Sequence, residues 1–317
     1  MQIVQKMKQV QQEIHKVLIG KEDTVELLMI SLLNNGNILL EDVPGTGKTL
    51  LAKSIAVLLG GEFKRIQFTP DVLPSDVTGI QFFNPKDQEF ELRPGPVMTN
   101  VLLADEINRA TPRTQSSLLE VMEEKQVTIE GTTLKLPKPF IVIATQNPLE
   151  SQGTFSLPEA QMDRFFMQIN SGYPTQVEEK QMIQMMRLRD PFEDLTTIFT
   201  NEELNSLQEE VKRIQLSSVI EDYLLSIVHA TRDSEYIEVG VSPRGTIAFM
   251  KAAQGKAFIE GREYVTPDDL KFVAPYVLSH RIVLSMEGSM RKTKEQVFQE
   301  ILFGIEVPVE ARGLAAK

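Results

Sequence analysis

Apolar residues recur at helical spacing from the start of the chain. Ile3, Met7, Val10, Ile14, Val17 and Leu18 share one face, which predicts an amphipathic helix over residues 2–18. Ile19-Gly20 breaks it, and a second helix is expected over 23–33. Asn34-Asn35-Gly36 reads as a turn into a short apolar strand, Ile38-Leu39-Leu40. A helix over 50–59 and a strand over 63–68 follow. Two runs, 78–83 and 89–92, flank the turn sequence Asn84-Pro85-Lys86-Asp87 and predict a β-hairpin. Apolar strands at 100–104 and 140–145 enclose a helix at 115–124 and a second hairpin, 127–129 with 133–136, joined around Gly131.

Buried strands alternating with helices predict a doubly wound α/β domain, its parallel sheet covered on both faces. The alternation stops near Ser171-Gly172-Tyr173-Pro174, and the remainder is helical in period, with Asp190-Pro191-Phe192 as a loop. The expected organisation is therefore an α/β domain over 1–173 and an all-helical domain over 174–317. A chain of 317 residues is long for a single core, which fits two domains. Met182, Met185 and Met186 read as a core stripe on the first helix of the second part.

Composition narrows the function classes. There are 33 basic and 44 acidic residues, so 33 − 44 gives a net charge of −11. That balance argues against general affinity for nucleic acid or an anionic membrane. The absence of Cys excludes disulfides and thiolate metal sites, and suits the cytoplasm. His15, His229 and His280 are far apart, so no His pair has metal-ligand spacing. No apolar run is long enough to span a bilayer, and residues 1–6 read as a surface helix rather than a signal peptide.

The chemistry is concentrated at strand ends. Val43-Pro44-Gly45-Thr46-Gly47-Lys48-Thr49 lies between the first strand and the helix that Leu50 opens, the context of a triphosphate-binding loop. Its glycines let backbone N–H groups close around phosphate oxygens, and the helix N-terminus adds its positive end. Lys48 is expected on the β- and γ-phosphates, and the Thr49 hydroxyl on Mg²⁺. Asp42 stands where the general pattern has its first glycine. Val101-Leu102-Leu103-Ala104-Asp105-Glu106 is an apolar strand ending in two carboxylates. In that position Asp105 can hold Mg²⁺ through its waters, and Glu106 can polarise an attacking water. The third strand leads to Gln146-Asn147-Pro148, whose amides can reach that water or the γ-phosphate. These features imply a nucleotide hydrolase using ATP or GTP with Mg²⁺.

Four strings together resemble the MoxR branch of the AAA+ ATPases: residues 41–49, Ala104-Asp105-Glu106-Ile107-Asn108-Arg109, Ala144-Thr145-Gln146-Asn147-Pro148, and 157–165, which contains Asp163-Arg164-Phe165. They occur in the family's order within a span of residues 17–281, and members of this branch often carry Glu-Asp at positions 41–42. The resemblance implies roles that spacing does not supply. Asn147 falls on the first sensor, Arg164 on an arginine finger acting on a neighbouring subunit's nucleotide, and Arg244 on the second sensor. Val17, Ile19 and Gly20 match the segment lining the adenine pocket, and Arg109 and Arg113 are placed toward the subunit boundary. The hairpins at 78–93 and 126–136 match insertions facing the pore or one surface of a ring. Residues 175–239 resemble the branch's extra helix, which displaces the lid.

The expected protein is thus an AAA+ P-loop core with two hairpin insertions and an all-α lid. It hydrolyses ATP with Mg²⁺ as a homo-oligomer, a hexameric ring. The resemblance implies chaperone-like remodelling or maturation of a protein partner, often one with a von Willebrand A-type domain. Three alternatives stand beside it: a magnesium-chelatase-like motor subunit, a DNA helicase or loader, and a nucleotide-gated scaffold that does not hydrolyse.

Overall fold

The computed structural model describes residues 2–41, 43, 45–147, 153–170, 172–187 and 191–308. Asp42, Pro44, Pro148, Ser171 and Asp190, which belong to segments singled out above, lie outside the described residues. The chain divides into two compact units, Met1–Val211 and Lys212–Lys317.

The first unit opens with α1 (Gln2–His15) and α2 (Glu22–Leu33), followed by β1 (Ile38–Glu41), α3 (Lys48–Leu58) and β2 (Phe63–Gln67). A short α4 (Pro74–Thr78) leads to the hairpin β3 (Gly79–Asn84) and β4 (Glu89–Pro94). Next come β5 (Val101–Asp105), α5 (Pro112–Glu124), a second hairpin of β6 (Gln126–Ile129) and β7 (Thr132–Lys135), and β8 (Ile141–Gln146). The unit closes with α6 (Glu159–Met162), β9 (Met167–Ile169), α7 (Gln176–Met186) and α8 (Asn201–Val211).

Five strands form one parallel sheet in the order β2-β5-β8-β1-β9. The chain leaves β1 for the far edge and returns through β5 and β8, then crosses to β9 on the other side. The order therefore reverses between β8 and β1, and open α/β sheets bind ligands at the strand C-termini beside such a point. The three central strands are apolar along their length because both faces are covered: Leu39, Leu40, Leu102, Leu103, Val142 and Ile143 are all buried. Against one face packs α5, begun by Pro112 in its first turn, burying Leu118, Leu119, Val121 and Met122. Fully burying a side chain of this size contributes roughly 1.5–3 kcal/mol.

The two hairpins differ in kind. On β6, Val127 and Ile129 alternate into the same core as α5. The β3–β4 hairpin stands out from the sheet, with Phe83 and Phe90 packed edge to face at 5.4 Å and both exposed.

The sequence pattern assigns α7 and α8 to the helical part, whereas these helices group with the first compact unit. Gln208 on α8 donates to the Leu32 carbonyl at 2.8 Å, and the Phe199 N–H to the Leu58 carbonyl at 3.0 Å. These bonds tie the segment to the ends of α2 and α3. Periodicity reports that a helix face is apolar but not which core it covers. On α7, Met182 and Met185 are only half-buried, a looser setting than a core stripe.

The second unit holds α9 (Ser218–Asp233), α10 (Pro243–Ile259), α11 (Pro267–Leu278), α12 (Met286–Arg291) and α13 (Lys294–Gly304). A small antiparallel ribbon, β10 (Ile237–Val239) with β11 (Val283–Leu284), is added to this helical lid. Side-chain caps start four of its helices: Ser217, Ser242, Ser285 and Thr293 each accept a backbone N–H. Asp269, 2% exposed, is held by the Arg262 guanidinium at 2.5 and 2.7 Å. Among the described residues, no helix is long and apolar enough to cross a membrane.

Candidate functional site: a cleft at the strand ends

The ends of β1, β5 and β8 enclose a cleft of about 450 Å³, lined by Gly45, Gly47, Lys48, Thr49, Leu50, Arg65, Asp105, Glu106, Thr145, Gln146 and Asn147. The loop side owes its shape to two glycines with left-handed backbones, Gly45 at φ +84° and Gly47 at φ +86°. Side chains rarely adopt this conformation. A Cβ at Gly47 would stand 2.9 Å from Leu18 Cδ2, while the space beside Gly45 is open. Gly47 caps α3 without a side-chain hydrogen bond, so the first-turn N–H groups of α3 receive no cap from it. Lys48 Nζ donates to the Val43 carbonyl at 3.0 Å and Thr46 Oγ1 to the same oxygen at 3.3 Å, which closes the loop on itself.

Opposite the loop, the acidic end of β5 is held by its neighbours. Asp105 Oδ1 accepts Thr145 Oγ1 at 2.6 Å, and Asp105 Oδ2 accepts Arg65 Nη2 at 2.6 Å and Nε at 3.2 Å. Glu106 turns the chain out of the strand through a left-handed backbone, φ +57°, and its N–H donates to Thr145 Oγ1 at 2.9 Å. A non-glycine residue in that region is uncommon, and such positions cluster at functional sites. The turn carries the Glu106 carboxylate to Gln67 Nε2 at 2.7 Å and Arg109 Nε at 3.1 Å. At the end of β8, Asn147 is buried, and Gln146 Nε2 donates to Glu41 Oε1 at 2.8 Å.

The fold thus brings Gly45, Gly47, Lys48, Thr49, Leu50, Asp105, Glu106 and Asn147 together in one cleft. Thr46 belongs to the same loop, while Pro44 lies outside the described residues. Val17 and Ile19 are buried, and Leu18 between them carries this segment against Gly47. Gly20 is packed under the Glu178 carboxylate. Arg164 is not among the cleft residues. It lines a separate groove with Glu120, Glu123 and Glu124 and pairs with Glu123 at 2.6 Å. Arg244 begins α10 in the second unit.

Sequence reasoning passed over Arg65, Gln67 and Thr145. Arg65 and Gln67 are two apart on β2, hence on one side of an edge strand, and they aim at the two acidic residues of the neighbouring strand end. The only signal in the sequence was their spacing of i and i+2 on a largely polar strand, Phe63-Lys64-Arg65-Ile66-Gln67. Thr145 was visible as the last residue of an apolar strand and as part of a family string, with no role of its own. Arg109, expected near a subunit boundary, pairs with Glu106.

These donors fit a magnesium–nucleotide. The N-terminal end of α3, a glycine-opened loop and Lys48 suit phosphate oxygens, and the Thr49 hydroxyl and Asp105 carboxylate suit a hard cation. Among the described residues no cluster of three or more His, Asp or Glu could hold a metal. A hard cation held by Thr49 and Asp105 would take phosphate and water oxygens as its remaining ligands.

Comparison with known proteins agrees with this geometry. Residues 37–167 match the model of the ATPase family associated with various cellular activities (AAA), and residues 229–301 match the AAA lid domain. Chaperone MoxR1 of Mycobacterium tuberculosis is 40% identical over 93% of this chain and 81% of its own length. YeaC, an uncharacterized protein of Bacillus subtilis, is 47% identical over 94% of each chain. A crystal structure from Cytophaga hutchinsonii superposes with a TM-score of 0.90 at 38% identity, covering 97% of this chain and 96% of that one.

Proposed function

The chain belongs to the MoxR family of AAA ATPases, and from that premise we propose that it hydrolyses ATP to remodel or mature a protein client. The observation carrying the reading is the convergence of Lys48, Thr49, Asp105, Glu106 and Asn147 on one cleft at the topological switch point of the sheet. In this proposal Lys48 and the loop N–H groups of residues 45–49 bind the β- and γ-phosphates. Thr49 and Asp105 hold Mg²⁺, which neutralises charge on the phosphates when bound. Val17, Ile19 and Gly20 border the base.

Glu106 takes a proton from the attacking water, and Asn147 orients that water and the γ-phosphate. Arg164 reaches the nucleotide of a neighbouring subunit, where its fixed charge stabilises the transition state. Arg244 of the lid serves as the second sensor. Placement of Arg164 outside its own chain's cleft favours a site shared between subunits of a homo-oligomer, a hexameric ring acting in the cytoplasm. A partner with a von Willebrand A-type domain is the client class the family suggests.

Remodelling is preferred to DNA loading because neither hairpin tip, Asn84–Gln88 nor Glu130-Gly131, presents a basic cluster. It is preferred to metal insertion because similarity to a chaperone runs along 93% of the chain. The test is Glu106→Gln. Turnover is expected to fall by about 10²-fold or more while ATP binding persists. Unchanged turnover would remove Glu106 from the reaction. The same variant, crosslinked in its ATP-bound state, should retain the client, and recovery of a porphyrin-binding protein would instead favour the chelatase reading.

A further inference from the structure

Asp105 offers two carboxylate oxygens, and each already has a donor. The Oδ1 partner, Thr145, is buried on the central strand β8 and also accepts the Glu106 N–H, so it is fixed in place. The Oδ2 partner is different. Arg65 lies on the edge strand β2, its side chain 45% exposed against 14% for Asp105. Its Nη2 also bonds Gln67 Oε1 at 2.5 Å, so a guanidinium leaving Asp105 keeps an anchor inside the cleft.

A cation that approaches Asp105 on its Oδ2 side, directly or through its water shell, needs the lone pairs that Arg65 Nε and Nη2 occupy there. Two cations crowded on one carboxylate oxygen repel each other. We propose that Arg65 is a positioning residue that competes with Mg²⁺ for Asp105 Oδ2, and so sets the magnesium requirement of nucleotide binding. This rests on the reading of Asp105 as the metal-side carboxylate. The pair holds the Asp105 carboxylate in place. Once Mg²⁺ arrives with nucleotide, Arg65 swings off Oδ2 and remains on Gln67. Because the pair is partly solvated, the competition is modest and reversible.

A merely structural ion pair would change fold stability, or binding of metal-free and metal-bound nucleotide alike. Competition changes only the metal-dependent part. The test is a Mg²⁺ titration of the full-length protein with a fluorescent ADP analogue, read as binding from a chelator baseline. Arg65→Ala is expected to lower the Mg²⁺ midpoint about two- to five-fold, the range for a partly exposed ion pair, with metal-free affinity changed less than about two-fold. Arg65→Gln, uncharged but of similar length, should shift it the same way, and Arg65→Lys by less, since an ammonium lacks the fork.

Asp105→Asn separates the two failures. It should raise the midpoint and abolish any further effect of Arg65→Ala. If Asp105→Asn raises the midpoint but both uncharged Arg65 variants leave it unchanged or raise it, the competition is wrong while the metal assignment stands. If Asp105→Asn does nothing, the metal assignment itself fails and the proposal with it.

Discussion

Thr145 Oγ1 donates to Asp105 Oδ1 at 2.6 Å and accepts the Glu106 N–H at 2.9 Å, so one hydroxyl on β8 locks both acidic residues at the end of β5. Thr145 is buried, and no water can replace the two bonds without rearrangement. Thr145→Val preserves shape and removes both. Stability should fall by about 1–3 kcal/mol in denaturant titration, with a loss of ATP turnover as the left-handed turn at Glu106 loosens. Thr145→Ser should restore most of each, and a Val variant equal to wild type in both measurements would show that the hydroxyl has no such role.

Arg164 supplies the clearest test of assembly. It pairs with Glu123 of its own chain, a partly exposed contact worth about 1 kcal/mol or less and easily exchanged for a phosphate. Arg164→Ala and Lys48→Ala homo-oligomers should each lose turnover, the former by about 10³-fold or more. Mixed one to one, they should recover part of it, because some interfaces then pair an intact loop with an intact finger. Mixed assemblies verified by pull-down that stay inactive at every ratio would count against the shared site.

Lys125 predicts a pH dependence of stability. It ends α5 with a left-handed backbone, φ +53°, and its Nζ is buried 5.1 Å from the Phe140 ring centre with no hydrogen-bond partner among the described residues. Burial lowers its pKa from 10.5 to about 8. The folded state therefore binds fewer protons than the unfolded chain between pH 8 and 10.5, and this residue's contribution to stability rises with pH across that window. Below pH 8 the folded protein carries the buried charge, only partly offset by the aromatic ring. Lys125→Met should stabilise the protein by roughly 1–3 kcal/mol at pH 7, with the gain shrinking toward pH 10. Melting curves at the two pH values check the sign, and a gain that grows with pH would contradict it.

The legible part of the site was the part written in contiguous residues. Gly45, Gly47 and Lys48 announce themselves because a phosphate loop needs permissive backbone and a cation at fixed short spacing. Asp105 and Glu106 do so because they end an apolar strand. The cross-strand partners were not legible. Arg65 and Gln67 meet these carboxylates only because β2 pairs with β5 in the register Gln67 opposite Asp105, and register is a long-range property. Strand β9 went unread for a related reason, since Met167–Ile169 is too short to show a period.

By itself, the order of apolar and polar residues determined the alternation of helices with buried strands, both hairpins, the helical second part and the loop chemistry. Each of these follows from local backbone preference or from a repeat of two or 3.6 residues. Tertiary structure alone decided the strand order, the docking of α8 beside α2 in the first unit, and the ring of donors around the acidic strand end. Those depend on which apolar faces meet and in what register, a choice made by packing between segments far apart in the chain.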